Sequence, residues 1–169
     1  MAAADPSLTK CAPENCYRFG PGRRLKSAAD YAAIVRAPNG SSIRAARQYL
    51  SVTALLVSRD AGAVRFGVTV GRRNARRAVD RALVKRIVRE ACRQQASGFE
   101  RGAAAAGLGI DVALRLKSSL IDTQGRPLAM TQWRRHLRAE ANALLRHVLN
   151  RLPAKLLATG VLAEKSERS

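Results

Sequence analysis

Nine basic residues and only two acids, Asp80 and Glu90, occupy the stretch from Arg72 to Arg93, RRNARRAVDRALVKRIVREACR. Guanidinium groups at this density suit one kind of chemistry, bidentate charge-assisted hydrogen bonding to phosphate. On a helix, at about 100° per residue, Arg77, Arg81, Lys85, Arg89 and Arg93 recur every fourth position with Arg86 at the edge of the stripe. Val79, Leu83, Val84, Ile87, Val88 and Ala91 are expected to fill the opposite arc and be buried. Ala78 and Ala82 lie among the charges and leave room for a phosphate backbone to approach.

A merely solvated helix face interleaves Glu with Lys or Arg, because such i,i+4 pairs each add a few tenths of a kcal/mol. This arc has almost no acid within it. Arg76 and Arg77 open the helix, where each cation opposes the macrodipole by about 0.3–1 kcal/mol, offset only in part by Asp80. Stability alone does not select this pattern; a polyanionic partner does.

The rest of the chain offers no side chains for catalysis. His136 and His147 are eleven residues apart with no paired carboxylate or nucleophile nearby, and Asp111 stands alone at the start of a strand. Twelve acids scattered among thirty-one Lys and Arg form no carboxylate cluster for a divalent cation. Cys11 and Cys16 match no zinc spacing, and Cys92 reads as a small, partly buried residue. The expectation is no catalytic residue and no metal site in the protein.

Net charge and length agree with this reading. A formal charge of +19 and a pI near 11.5 attract nucleic acid and repel other copies of the chain. A membrane surface is the other polyanion to weigh, but no run approaches the roughly 18 apolar residues of a span. MAAADPSLTKCAPENC lacks the cationic start and apolar core of a signal peptide, so a cytoplasmic protein is expected. A ribosomal protein or a general RNA chaperone would share the charge and the lack of catalysis. A DNA-binding module fits less well, since no helix-turn-helix, zinc-finger or basic-zipper pattern is visible.

The elements that must position these residues follow from periodicity. Residues 1–16 form a tail without periodicity, an RNA-binding domain spans 17–152, and 153–169 is a second tail beginning at Pro153. Ser27 is placed to cap a short helix carrying Tyr31, Ile34 and Val35, which PNG then stops. In RQYLSVTALLVS, Leu50, Val52, Ala54 and Leu56 share one side, and Tyr49, Ser51, Thr53 and Leu55 the other. After a turn at RDAGA, VRFGVTV turns Phe66, Val68 and Val70 to the core and Arg65, Gly67 and Thr69 away from it. These two strands are expected to pair antiparallel, joined by a shorter strand from Ile43 to Ala46.

Beyond the basic helix, SGFERGAAAAGLG reads as a loop and IDVALRLK as a strand, so the basic helix is the crossover of a β-α-β unit. A helix from Leu128 carries Trp133, Leu137, Ala141, Leu144, Leu145, Val148 and Leu152 on one stripe, with Trp133 as a core anchor. The class is α+β, a two-layer sandwich with a small, mostly antiparallel sheet packed on helices.

The run RR-NARR-AV-DR-A-LV-KR-IV-RE resembles the signature of the bacterial ribonuclease P protein subunit. Arg81, Lys85, Arg86, Arg89 and Glu90 fall on matching positions, whereas the family's Asn is Ala82 here. A hydrogen bond from that amide to RNA or to a bound metal is therefore absent or supplied elsewhere. The resemblance covers roughly residues 18–150, taking in Phe19, the helix LKSAADYAAIV, the strand leading into GVTVGRR, and DVALRLK with the Trp-containing helix.

The resemblance implies a left-handed crossover and an endoribonuclease whose catalytic RNA removes the 5′ leader of precursor tRNA by Mg²⁺-dependent hydrolysis, the protein alone being inactive. Its partners would be the catalytic RNA and precursor tRNA, with no membrane and no protein partner evident. Arg72, Arg73, Arg76, Arg77, Arg81, Lys85, Arg86 and Arg89 would bind the RNA through phosphates. A cleft between the sheet and the first helix would take the single-stranded leader, with Phe19, Tyr31, Tyr49, Ser51, Thr53, Arg65 and Thr69 as its candidates. For Phe19 and Tyr31, packing in the core is the alternative.

Overall fold

The computed structural model describes residues 20–121, 124 and 126–158. The expected N-terminal tail and residues 159–169 lie outside that range. After a short 3-10 turn at Pro21–Arg23, helix α1 (Ala28–Arg36) begins at Ser27, whose hydroxyl accepts from the Asp30 amide at 3.0 Å. The Asp30 carboxylate accepts from the Ser27 amide in return, so two of the helix's orphan donors are satisfied reciprocally.

Strands β1 (Ser42–Ala46), β2 (Leu50–Val57) and β3 (Val64–Val70) follow, then helix α2 (Ala78–Ala106), strand β4 (Gly109–Leu116) and helix α3 (Met130–Ala158). The sheet order is β1-β2-β4-β3. β1 pairs antiparallel with β2, and β2 with β4, while β3 and β4 run parallel, joined by α2 as the crossover. The α+β class and the β-α-β unit are as expected, but β2 and β3 do not pair: β4 lies between them. Ile110, Val112, Leu114 and Leu116 on β4 are almost wholly buried, which suits a central strand and not an edge.

The two long helices cover the face of the sheet that carries Leu50, Val52, Ala54 and Phe66. Trp133, Leu137, Ala141, Leu144, Leu145, Val148 and Leu152 are all buried there, as their spacing predicts. The short α1 lies over the opposite face, against the alternate residues of β2 and β4.

Two boundaries differ from expectation. The segment read as a Gly/Ala loop is helical through Ala106, and α2 ends only at Gly107, in the left-handed conformation at φ 68°. Phe99 within it is fully buried and meets Phe66 edge-on, with ring centroids 5.5 Å apart. Gly98 and Gly102 face Leu149 and Leu152 of α3, where an added Cβ would come within 3.3 and 3.5 Å of the leucine methyls. Close helix packing thus outweighs a propensity cost of about 1 kcal/mol per glycine.

α3 also continues past Pro153 to Ala158, so ordered structure extends beyond the expected boundary at residue 152. Cys92 is fully buried, not partly so, and burial pushes its thiol pKa well above the ordinary value.

Candidate nucleic-acid interface

The arginine pairs preceding α2 sit on a turn that is tied down at both ends. Asn74 Nδ2 donates to the Leu116 carbonyl at 2.7 Å, and Ala75 is buried beneath the turn. Arg81 Nη1 donates to the carbonyls of Ala75 at 3.1 Å and Arg76 at 2.6 Å. Arg72, Arg73, Arg76 and Arg77 are exposed on this braced turn.

The helix phase differs from the expected stripe in an instructive way. A spacing of four residues advances about 40° beyond a full turn, so from Arg77 to Arg93 the stripe wanders by about 160°. Arg77 is the residue preceding the helix, and Arg81 and Lys85 lie half-buried along its flank. Arg86 is exposed on the outer side, with Arg89 and Arg93 beside it, partly exposed. Val79, expected in the buried arc, is 71% exposed, and Leu83 is only half-buried.

Arg86, Arg89 and Arg93 border an open groove of about 700 Å³ between α2 and α3, with Arg134 and Arg138 on its α3 side. Arg93 donates to Glu90 at 2.9 and 2.7 Å, and this bond holds the Glu90 carboxyl below its usual pKa. Arg134 and Arg138 were not among the residues singled out from sequence. Their signal was present in WRRHLR, where they flank the buried Trp133 and Leu137 with helical spacing.

On the opposite face of the sheet, four of the seven leader candidates converge. Tyr31, Ser51, Thr53 and Thr69 line a cleft of about 230 Å³ between α1 and the strands, with Val35 and Arg115 at its sides. That is a shallow seat, smaller than a typical small-molecule pocket. Tyr31 lies across Gly67, where an added Cβ would stand 2.5 Å from the tyrosine Oη. Arg44 Nη2 donates to the carbonyls of Val35 and Ala37, fixing the end of α1 to β1.

The other three candidates are not in this cleft. Tyr49 is buried, its Oη donates to the Ile121 carbonyl at 3.0 Å, and its ring faces His136 of α3. It precedes the first residue of β2, so the alternation read along that strand does not extend to it. Arg65 is held by Asp111 and by Asp30 of α1, at 2.6 and 3.0 Å. Asp111, read from sequence as isolated, also accepts from Arg59 at 3.2 and 3.3 Å. Phe19 lies outside the described residues.

Among the described residues, no three of His, Cys, Asp and Glu come together as a metal-binding group. No described helix is long and apolar enough to cross a membrane.

The Ribonuclease P family model matches residues 19–137, more than half of the chain. Among solved structures, the chain is similar to a Staphylococcus aureus RNase P protein mutant with defective mRNA degradation activity. That likeness has 16% identity and a TM-score of 0.49, over 75% of this chain and 87% of that one. No curated protein matches.

Proposed function

The chain belongs to the ribonuclease P protein family, and on that premise we propose that the arginines on and before α2 bind the ribonuclease P RNA while the cleft under α1 receives the 5′ leader of precursor tRNA. The observation that carries this reading is the division of one sheet into two unlike faces. Exposed arginines cluster on the side of the long helices; a tyrosine ring and three hydroxyl side chains gather on the other.

Arg72, Arg73, Arg76, Arg77, Arg86 and Arg89 would act through phosphates, with Lys85 at the flank. Such contacts release condensed counterions and orient the protein while reading little sequence. Arg81 would serve by holding the turn that presents its neighbours. Tyr31 offers a face on which a leader base can stack, and Ser51, Thr53 and Thr69 offer hydrogen bonds, a combination that tolerates varied leader sequences. Of the described carboxylates, Asp30, Asp111, Glu90 and Glu100 are engaged with arginines and Glu140 accepts from the Tyr49 and Leu50 amides, which supports assigning no Mg²⁺ to the protein. In this reading Mg²⁺ is held by the RNA that performs the hydrolysis.

Reconstitution tests the proposal. Adding the protein to transcribed ribonuclease P RNA should permit precursor cleavage at a lower Mg²⁺ concentration than the RNA needs alone, and protein without RNA should cleave nothing. Cleavage by RNA-free protein, or an unchanged Mg²⁺ requirement, would count against it.

A further inference from the structure

We infer that Arg134 and Arg138 of α3 complete a two-helix groove, with Arg86, Arg89 and Arg93 of α2 on its other side, that seats the phosphate backbone of the ribonuclease P RNA. This rests on the RNA-binding reading above and extends it to a helix that contributes none of the signature residues. Five guanidinium groups border the groove against one carboxylate, Glu90, which already accepts two hydrogen bonds from Arg93. The excess positive charge has no counterpart within the groove.

Packing does not account for the α3 pair. Trp133 and Leu137 make the core contacts of that turn, while Arg134 and Arg138 are exposed. The first turn of α3 carries no acid that could pair with Arg134 or Arg138. All five groups are Arg, whose planar fork matches phosphate bidentately. Ala82, Leu83 and Ile87 contribute the apolar lining, and Ala82 has no side chain long enough to hold a backbone away.

The groove's position selects its occupant. It lies on the side of the sheet covered by the long helices and continues the exposed arginines of α2, whereas the leader cleft lies on the other side. A leader seated in the cleft cannot reach it, which leaves the ribonuclease P RNA as the polyanion to fill it.

Equilibrium binding of the full chain to transcribed ribonuclease P RNA, and separately to mature tRNA, between 50 and 200 mM salt tests the inference. The variants are R134A/R138A, R86A/R89A and R134K/R138K, with R135A as a single-charge control from the same helix outside the groove. R134A/R138A should bind the ribonuclease P RNA more weakly. Its loss of affinity across that salt range should shrink about threefold for each phosphate contact removed, as expected from a slope of about 0.7–0.9 per contact. R134K/R138K should retain the salt dependence with reduced affinity, and R135A should bind as the parent does.

If R134A/R138A binds normally while R86A/R89A is weakened, the inference falls and the RNA-binding reading stands. If neither pair matters, both fall. A loss from R135A equal, per charge removed, to that of R134A/R138A would mean a diffuse field and no groove, and a loss confined to mature tRNA would mean the wrong occupant. Should the alanine pair unfold, as judged by its melting temperature, the lysine pair carries the test: affinity equal to the parent would overturn a bidentate arginine site.

Discussion

Arg65 on β3 and Asp111 on β4 are register partners, joined by hydrogen bonds of 2.9 Å from Nε and 2.6 Å from Nη2. Asp111 is 3% exposed, and Arg59 reaches it from the turn between β2 and β3. Arg65 also donates to Asp30, so one guanidinium links both strands to α1. A residue that the strand pattern offers to the substrate is thus committed to holding the roof of the cleft.

Replacing Asp111 with Ala should therefore destabilise the fold. Arg59 and Arg65 would be left facing each other without their shared carboxylate; both are partly exposed and Arg65 keeps Asp30, so the cost should be about 1–3 kcal/mol. Urea denaturation would read this as a lower midpoint. An unchanged midpoint would show that the network contributes nothing to stability.

Acid should weaken the attachment of α1. Hydrogen bonding from Ser27, reinforced by Arg65, lowers the Asp30 carboxyl below the ordinary 3.8. A carboxyl depressed in the folded state adds stability above its unfolded pKa, and that stability is lost as pH falls through the folded value. The gap in stability between the parent and Asp30→Asn at neutral pH should accordingly begin to close below about pH 4 and vanish only once the pH has passed below the depressed folded value. Thermal melts across that range would check it; parallel curves would contradict the assignment.

Arg81 and Arg86, both within the signature, should behave differently. Arg81→Ala removes two bonds to the turn carbonyls and should cost about 0.5–1.5 kcal/mol for each. Arg86 is exposed, and its replacement should leave the melting temperature unchanged while weakening RNA binding. Equal thermal effects would remove the distinction between brace and contact.

What sequence reveals here is what local chemistry determines. The capping box at Ser27 and Asp30, the alternation of Leu50, Val52 and Ala54, and the stripe from Trp133 to Leu152 are each set within a few residues. The order of strands is not, since Arg65 and Asp111 are 46 residues apart and only the closed sheet brings them together. Gly98 and Gly102 read as breakers, yet both lie within α2 where it packs closely against the leucines of α3. Of the site, the arginine surface was legible as charge, but Arg134 and Arg138 come from a distant helix, and Tyr49 is drawn into the core by the Ile121 carbonyl and α3.

Tyr49 should show that difference directly. Tyr49→Phe loses the bond to Ile121 and should lower stability by about 0.5–1.5 kcal/mol, without altering the preference for precursor over mature tRNA. Denaturation together with binding of both tRNAs would measure it, and a selective loss on the precursor would return Tyr49 to the substrate site.

The cleft itself is best tested at Tyr31, because its ring is half-exposed and braced from behind by the bare backbone of Gly67. Tyr31→Ala should weaken precursor tRNA binding by about 1–3 kcal/mol for each base that stacks on the ring, and leave mature tRNA nearly unaffected. Gly67→Ala should act on the same ring from beneath. Its Cβ would collide with Tyr31 Oη and Leu25 Cδ1, at 2.5 and 2.8 Å, forcing the ring off the sheet at an overpacking cost of about 1–3 kcal/mol. Affinity should be measured for precursors with long and with one-nucleotide leaders, alongside the melting temperature of each variant. A loss that grows with leader length for both variants identifies the cleft as the leader's seat, whereas equal losses on long and one-nucleotide leaders would make Tyr31 a packing residue of α1.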